Sequence, residues 1–459
     1  MVTSSVMATT NASKLDPSQL TGSLDVSRLT WRRVGVCSFG YAGQFLENFN
    51  SAGIGYILPA LTTAFSLTNI MLGWVASVAF LGMLIGAICG GPIADRIGRK
   101  KTDILSILIF SVGSVLVMFS WNYESLVAFR LLQGFGFGAE VPLAVTYVSE
   151  YSPQKSRSVM VSFCTTAYNV GLTAAGPVSL FTSPTFGWRG MFYVGAPIGF
   201  LVIALMILFM PESVRQLIKW GKLDEAERIV RKLSTVDPTQ VPVKAAPIVA
   251  KGKLSDLIKG RYLRLSSGCW FTAFAQGIFT GTVMVMMTTI FRQVGLPLEL
   301  SVMIATVIAG FGIVAPPIGG VLMEVIGRRR SLYLGYLGAG VCLLGTASMF
   351  FTRQVFVMAA FVIVGYFFSG MNFPSLNTYA SEIYPTKIRG TGVSVMQAFQ
   401  RVGQFTGPML AAIMLASIAN FFVLIGAISI AAGIVMFLSV YETRGRSLER
   451  VTEELSTLK

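Results

Sequence analysis

Apolar stretches long enough to cross a bilayer recur along the whole chain, separated by short polar segments. A transmembrane helix needs about 20 apolar residues, whereas membrane β-strands alternate apolar and polar positions over about ten residues. The stretches here are long and helical in period, so they predict an all-α membrane protein with twelve transmembrane helices. The predicted spans are residues 35–61, 72–94, 103–121, 126–149, 158–182, 189–210, 265–291, 299–324, 331–352, 355–380, 391–416 and 419–441.

Charged residues are few and unevenly placed. Hydrophobic residues make up 53% of the 459 positions and charged residues 12%, whereas a soluble domain averages about 25% charged residues. With a cytoplasmic N-terminus, 31 of the 36 lysines and arginines lie in cytoplasmic tails and loops. This is the positive-inside bias, so the net charge of +15 reflects topology and not a nucleic-acid partner. We expect a multi-pass protein of the inner cell membrane with both termini in the cytoplasm.

Two distinct motifs occur once in each half of the chain. The sequence GGPIADRIGRKK at 90–101 returns as GGVLMEVIGRRR at 319–330, offset by 229 positions. The sequence SEYSPQKSR at 149–157 returns as SEIYPTKIR at 381–389, offset by 232 positions. Two motifs repeating at nearly one offset indicate a duplicated six-helix unit, the layout of transporters with two halves around a central site.

The repeats divide the chain into five segments. The linker between the halves contains SVRQLIKWGKLDEAERIVRKL at 213–233, whose apolar residues share one helical face. We therefore expect short cytoplasmic helices under the bundle, acting either as a plain connector or as a latch. The predicted segments are a disordered cytoplasmic tail (1–30), a first six-helix half (31–210), the cytoplasmic helical linker (211–264), a second six-helix half (265–441) and a cytoplasmic tail (442–459).

Acidic and basic residues stand together in the repeated loops. Asp95, at the end of the second span, is suited to pair with arginines and to cap a neighbouring helix. Glu150 with Arg157, and Glu382 with Arg389, are suited to similar clusters. We predict a cytoplasmic gate whose ion pairs separate when the site opens inward; the alternative is charges that set topology and never separate. The predicted gate residues are Asp95, Arg96, Gly98, Arg99, Glu150, Arg157, Glu324, Arg328, Glu382 and Arg389.

Four ionisable residues fall well inside predicted spans: Glu47, Glu140, Arg130 and Arg401. An ionisable group at membrane depth costs several kcal/mol and normally faces the bundle interior, paired or functional. The chain has no histidine, so a proton relay would rest on carboxylates. We predict that Glu140, and secondarily Glu47, couple transport to protons under the influence of Arg130. The alternative is a permanent Glu140–Arg130 pair that braces the fourth span.

Arg401 lies in the middle of the eleventh predicted span, in MQAFQRVGQFTGPML. A guanidinium facing a central cavity offers paired donors suited to a carboxylate. This suggests that the substrate is an organic anion, held by Arg401, whose charge is offset by a carried proton.

The loop motifs resemble those of the major facilitator superfamily. The superfamily's loop signature appears here as Gly91, Asp95, Arg96, Gly98, Arg99 and Lys100. PESVR at 211–215 and YETRGRSLE at 441–449 resemble the sugar-porter and organic-ion branches. GFGFGAEVPLAVTYVSE at 134–150 and YPTKIRGTGVSVMQAFQRVGQFTGP at 384–408 resemble bacterial aromatic-acid:proton symporters and the related nicotinate permeases.

The resemblance implies proton-coupled uptake of an aromatic or heteroaromatic monocarboxylate by alternating access. Such relatives usually carry aspartates in the first span, where this chain has Glu47 and Asn50. Aromatic and amide side chains in several spans would suit such a substrate, although packing explains each of them individually. The predicted substrate-binding residues are Arg401, Asn50, Tyr168, Asn169, Phe279, Tyr366, Asn372 and Asn377.

Other functions remain as alternatives. The sugar-porter branch usually shows a pair of glutamines in the seventh span, whereas this chain has a single one there, Gln276, in FAQGIFTG. A sugar or polyol porter is therefore disfavoured. An organic-cation or drug carrier is disfavoured by Arg401, and a membrane sensor by tails too short for a signalling domain. The chain has no metal-spaced cysteines, nucleophile motif or phosphate loop, so we predict no enzyme activity, metal or cofactor. We expect a monomer whose partners are a small carboxylate, a proton and lipid.

Overall fold

The computed structural model describes residues 15–243, 254–258, 260–352, 354–385, 387–439 and 441–443, and these residues are predominantly helical. Four short 3-10 helices accompany the α-helices, at Gly187–Arg189, Pro238–Gln240, Leu254–Ile258 and Leu415–Ser417. The α-helices are α1 Pro17–Val26, α2 Trp31–Ala64, α3 Asn69–Ile97, α4 Arg99–Met118, α5 Tyr123–Tyr151, α6 Arg157–Phe186, α7 Gly190–Phe209, α8 Val214–Lys219, α9 Leu223–Leu233, α10 Arg261–Gln293, α11 Leu298–Ile326, α12 Arg328–Thr352, α13 Val355–Ile383, α14 Arg389–Ile413 and α15 Ile418–Ser439.

The twelve long helices, α2–α7 and α10–α15, coincide with the twelve predicted spans. Within the described residues, eight helical segments are long and apolar enough to cross a membrane, with α6 and α7 counted as one segment. The long helices outside this set are α2, α5 and α14, which carry Glu47, Glu140 and Arg401. Ionisable residues therefore lower the hydropathy of these three helices, and the same residues indicate which side chains face the interior of the bundle.

Matching turns join the second and third long helices of each half. Gly98 ends α3 at φ +98° and Gly327 ends α11 at φ +91°, values that favour glycine because it has no Cβ. A carboxylate then caps the next helix. Glu212 Oε1 accepts the backbone N–H groups of Arg99 (2.9 Å) and Lys100 (3.2 Å). Glu442 caps α12 in the same way. We call the end of the bundle with these turns the motif face, and the other end the opposite face.

The two halves meet mainly along three helix pairs: α2 with α10, α3 with α14, and α6 with α11. Several close approaches lie in the segments toward the opposite face. Trp74 and Phe405 pack edge to face with ring centroids 5.7 Å apart. Gly55 lies so near α10 that an added Cβ would be 2.7 Å from the Met284 carbonyl oxygen. Small residues allow such close approach of membrane helices.

Part of the segment predicted as a disordered tail forms a helix. The predicted tail covered residues 1–30, of which residues 1–14 lie outside the described residues, whereas 17–26 form α1. Asp16 and Gln19 form a capping box at its start. Hydrogen bonds from the Ser18 hydroxyl and backbone N–H lower the pKa of the Asp16 carboxyl. The polar composition of residues 1–30 does not indicate this helix, but two apolar residues one turn apart, Leu20 and Leu24, are both buried in the structure.

The linker forms two helices beneath the first half, α8 and α9. Leu217, Ala226 and Val230 from the predicted amphipathic face are buried. The fully buried Arg33 of α2 donates to the carbonyl of Leu24 in α1 and to the carbonyl of Leu233 at the end of α9. The amino-terminal helix, the linker and the first half therefore pack as one unit. Linker residues 244–253 and tail residues 444–459 lie outside the described residues.

Candidate functional site

Arg401 extends from the second half toward the first half. It lies mid-way along α14, and its Nη1 donates to Gln404 Oε1 at 2.9 Å. The same Nη1 lies 3.5 Å from the sulfur of Met83 in α3. The Tyr168 hydroxyl of α6 lies beside the guanidinium. Gln404 thus orients the guanidinium, while two helices of the first half, α3 and α6, contact it.

A buried carboxylate lies on the first-half side of this arginine. Glu47 of α2 is fully buried, and neither carboxylate oxygen has a hydrogen-bond partner among the described residues. It is close enough to Arg401 for an electrostatic interaction. Next to it, Asn48 Nδ2 donates to the carbonyl of Tyr168 at 2.8 Å, which ties α2 to α6. The acid and the guanidinium therefore face each other across the boundary between the halves.

Aromatic side chains lie near the charged pair. Phe279 of α10 packs edge to face against Tyr366 of α13, with ring centroids 6.3 Å apart at 78°. Tyr366 is also within electrostatic range of Tyr168. Asn169 faces Gly312 of α11, where an added Cβ would be 2.8 Å from its amide oxygen and 3.4 Å from the Tyr366 ring. The structure thus brings Arg401 together with four of the seven other residues predicted to bind substrate.

Asn50 and Arg130 lie in a polar chain inside the first half. Arg130 Nη1 donates to Gln133 Oε1 at 2.5 Å, and Gln133 Nε2 donates to Ser114 Oγ at 2.7 Å. Ser114 Oγ in turn lies 3.3 Å from Asn50 Oδ1. The Asn50 amide is therefore directed toward α4 and not toward Arg401, because its other group donates to the carbonyl of Leu46.

The remaining two predicted amides also lie away from the arginine. Asn372 is buried against Gly335 of α12, inside the second half. Asn377 lies nearer the motif face, where its Oδ1 accepts a hydrogen bond from Gln397 Nε2 at 3.2 Å. Asn377 could only meet a ligand on its way to the centre, and Asn372 contacts neighbouring helices.

Glu140 does not pair with Arg130, so the predicted alternative of a permanent bracing pair is wrong. Its Oε2 accepts a hydrogen bond from Gln44 Nε2 at 2.8 Å, while Arg130 forms no ion pair among the described residues. The two residues are ten positions apart on one helix, about 15 Å along its axis. Glu140 is fully buried, and its Oε1 has no hydrogen-bond partner among the described residues.

Asp103 is a buried acid that the sequence analysis missed. In the sequence it stands at the first position of the predicted span 103–121, directly after the charged motif loop. The structure begins α4 four residues earlier, at Arg99, and Asp103 is only 2% exposed. Neither of its carboxylate oxygens has a hydrogen-bond partner among the described residues. Its position one helical turn inside the start of α4 was the available signal.

The gate residues of the first half form contacts within that half and its adjoining segments. Arg99 forms an ion pair with Glu150, and Ser213 Oγ donates to the same carboxylate at 2.6 Å. Arg157, which we expected to pair with Glu150, pairs with Asp25 of α1 because that helix reaches the α5–α6 loop. The remaining residues comprise Gly98 in its turn, the exposed Arg96, and Asp95, which lies 3.5 Å from Lys219 of α8.

The second half repeats part of this arrangement. Arg328 bridges Glu324 at 3.0 Å and Glu382 at 2.9 Å. Glu382 also accepts a hydrogen bond from the Thr443 hydroxyl, the counterpart of the Ser213 contact in the first half. Arg389 donates to the carbonyl of Tyr384 at 3.2 Å. Each motif-face cluster thus joins helices of one half to the segment that follows its last helix.

Comparison with known proteins now identifies the family. The model of the Major Facilitator Superfamily matches residues 40–408 and 269–457. The chain belongs to this superfamily. The predicted fold class of two six-helix halves is confirmed, and the protein is a multi-pass membrane transporter and not an enzyme.

Individual relatives narrow the branch of the superfamily. The chain is 30% identical over 430 residues to the 4-hydroxybenzoate transporter of Acinetobacter baylyi, covering 92% of this chain and 93% of the relative. It is 29% identical over 421 residues to the niacin transporter of the same organism, covering 89% and 94%. The fold is similar to the inward-open xylose transporter of E. coli, with a TM-score of 0.76, 21% identity, and coverage of 92% and 99%. The predicted resemblance to the aromatic-acid and nicotinate branch is confirmed.

Proposed function

We propose that this chain takes a small aromatic or heteroaromatic monocarboxylate into the cell together with a proton, acting as a monomer by alternating access. The observation that carries the proposal is Arg401, held by Gln404 in one half and facing Tyr168 and Glu47 of the other. Relatives that transport 4-hydroxybenzoate and niacin support the substrate class.

The residues around Arg401 match the two parts of such a substrate. The planar guanidinium offers paired N–H donors to a carboxylate. The edge-to-face pair of Phe279 and Tyr366 offers apolar ring surface for the substrate's own ring. A sugar would not use the positive charge of Arg401, and an organic cation would be repelled by it.

Proton coupling follows from the competition between two anions for one guanidinium. Without substrate, Arg401 interacts with Glu47, which has no other polar partner among the described residues. When a carboxylate substrate occupies Arg401, Glu47 loses that interaction while its own side chain remains fully buried. A buried, unpaired carboxylate is costly, so Glu47 must then take up a proton. One anion and one proton would therefore move together.

The orientation follows from the charge distribution. The motif face carries the lysine- and arginine-rich loops and would face the cytoplasm of a cell's inner membrane, with both termini on that side. Gln397 and Ser394 lie on the Arg401 face of α14, one and two turns nearer the motif face respectively, and both are exposed. Together with the contacts toward the opposite face, they support a state open to the motif face.

Uptake into proteoliposomes with an imposed pH gradient tests the proposal. Purified protein should accumulate labelled 4-hydroxybenzoate or nicotinate but not xylose or tetraethylammonium. Arg401→Gln should weaken carboxylate binding about 30-fold or more, because truncating one partner of a buried charge pair costs about 2 kcal/mol or more of binding free energy. Glu47→Gln should abolish pH-driven accumulation while retaining exchange of substrate across the membrane.

The exposed Arg292 at the end of α10 provides the matched control. Arg292→Gln removes the same charge by the same chemical change and should leave binding unaltered. Accumulation of xylose in preference to the carboxylates would favour the sugar porter, and accumulation of tetraethylammonium would favour the cation carrier. Equal carboxylate binding by the Arg401→Gln and Arg292→Gln proteins would reject the assigned site.

A further inference from the structure

Three carboxylates are buried within the first half, on three different helices. Glu47 of α2 and Glu140 of α5 are 0% exposed, and Asp103 of α4 is 2% exposed. Among the described residues, five of their six carboxylate oxygens have no hydrogen-bond partner. Buried polar groups are normally hydrogen-bonded, and exceptions call for an explanation. A carboxyl group in this setting is stable only while it is protonated or while it can take up a proton from a neighbouring group.

Helix contacts place the three acids in order. An added Cβ at Gly43 would lie 2.2 Å from Glu140 Oε1, so Glu140 meets α2 one turn nearer the motif face than Glu47. An added Cβ at Gly136 would lie 2.7 Å from the Ser106 carbonyl oxygen, which sets the antiparallel register of α4 and α5. One turn further toward the motif face, that register brings Asp103 to the level of Glu140. Glu140 is within electrostatic range of both other acids.

The second half has no acid at the corresponding positions. With the offset of 232 residues, Glu140 corresponds to Asn372. Gly171 packs on Phe45 of α2 as Gly403 packs on Phe274 of α10, an offset of 229, so Glu47 corresponds to Gln276. With the offset of 229 that relates α4 to α12, Asp103 corresponds to Leu332. The same helix arrangement is therefore built in the second half from two amides and an aliphatic side chain. Packing alone does not require carboxylates here.

Among the described residues, no cation lies beside Glu140 or Asp103, and the cation beside Glu47 is the Arg401 guanidinium, which the substrate would occupy. Against Glu140, α2 presents Gln44 and Glu47, α4 presents Asp103 and α6 presents Cys164. Tyr147 lies within electrostatic range of Asp103 on the side of the motif face.

Two of the three cations in the first turn of α4 are engaged elsewhere, and the third, Lys101, is exposed. Arg99 pairs with Glu150, and Lys100 Nζ donates to the carbonyl of Ile207 at 3.0 Å. Among the described residues, no group of three or more acids, cysteines or histidines is arranged to hold a metal ion. A proton is therefore the cation that this cluster suits.

We propose that Glu47, Glu140 and Asp103 form a proton-release route through the first half, separate from the substrate opening between the halves. The inference rests on the proposed function, in which Glu47 takes up the proton at the central site. The proton then passes from the Glu47 carboxyl to the Glu140 carboxylate and on to Asp103, directly or through a water molecule. At each step one O–H bond breaks and one forms, and Asp103 releases the proton to water at the motif face.

The test uses the full-length protein with Asp103→Asn, which removes the last proton carrier without touching the central site. Carboxylate binding and substrate exchange should match those of the unaltered protein. Uptake driven by a pH gradient should fall ~10²-fold, the lower range of what a positioned proton-transfer group contributes, and lose its dependence on pH at the motif face. Asp103→Glu should restore most of the uptake. Ser106→Ala, a buried change on the same helix, is the matched control.

The outcomes separate this route from the proposed function. Normal pH-driven uptake by the Asp103→Asn protein, with binding also normal, overturns the route and leaves the proposed function intact. Loss of binding and exchange in Asp103→Asn, unrestored by Asp103→Glu, assigns Asp103 a structural role and also overturns the route. An unaltered protein that neither binds nor accumulates carboxylates overturns the proposed function, and the route with it.

Discussion

Adding a single methyl group at Gly55 should shift the balance between the two access states. An added Cβ would lie 2.7 Å from the Met284 carbonyl oxygen, 2.7 Å from the Val285 Cα and 2.9 Å from the Val285 carbonyl oxygen. These are backbone atoms of α10, which cannot rotate away as a side chain can. In Gly55→Ala, α2 and α10 must therefore separate near the opposite face.

The size of the effect follows from overpacking. Adding a methyl group to a well-packed contact costs about 1–3 kcal/mol. If the contact exists only in the state described here, the whole cost falls on that state. Each 1.4 kcal/mol is a tenfold change, so the equilibrium should move by about 5- to 150-fold toward the state that opens at the opposite face.

A cysteine reporter on the entry path measures this shift. Ser394 is exposed on α14 two turns from Arg401, and Ser394→Cys should react with a maleimide while the motif face is open. The experiment uses a Cys89→Ser background in lipid nanodiscs, because Cys89 is partly exposed while the other four cysteines are buried. Labelling should slow in Gly55→Ala by up to the calculated factor.

Gly91→Ala serves as the control, because nothing lies within 4 Å of its added Cβ. This change should leave the labelling rate unaltered. Equal labelling rates in the Gly55→Ala and Gly91→Ala proteins would refute the reasoning, since they would mean that the α2–α10 contact is kept or easily relaxed in both states.

Two further predictions concern stability. Arg33→Met should lower the unfolding temperature in detergent, because the buried carbonyls of Leu24 and Leu233 lose their donor, at about 1–3 kcal/mol each; an unchanged temperature would contradict this. Glu212→Gln should destabilise the protein by about 1–3 kcal/mol, because backbone N–H groups bond more weakly to a neutral amide than to a carboxylate. The same unfolding measurement checks this prediction, and an unfolding temperature equal to that of the unaltered protein would contradict it.

The helices and their pairing into halves were predictable because they depend on local signals. The apolar stretches located α5 within a few residues, and the motif offsets related α3 to α11 and α5 to α13. Arg401 was recognisable because an arginine in an apolar helix is costly anywhere except facing the interior. The same reasoning located Glu47.

Partners of buried residues were not predictable, because they depend on helix rotation and register. Nothing local indicates that Glu140 meets Gln44 of another helix instead of Arg130 on its own. The direction of Asn50 toward Ser114 likewise follows from how α2 rotates against α4. Asp103 was missed for a different reason, since the charged motif before it resembles a loop that continues through it.

The contact between Trp74 and Phe405 has a thermal consequence. It closes the opposite face with aromatic surface, which becomes hydrated when the halves part on that side. Hydration of apolar surface raises heat capacity, and the attraction between such surfaces weakens on cooling. The preference between the two access states should therefore vary with temperature along a curve, and the transport rate should give a bent Arrhenius plot even in a bilayer that undergoes no phase transition.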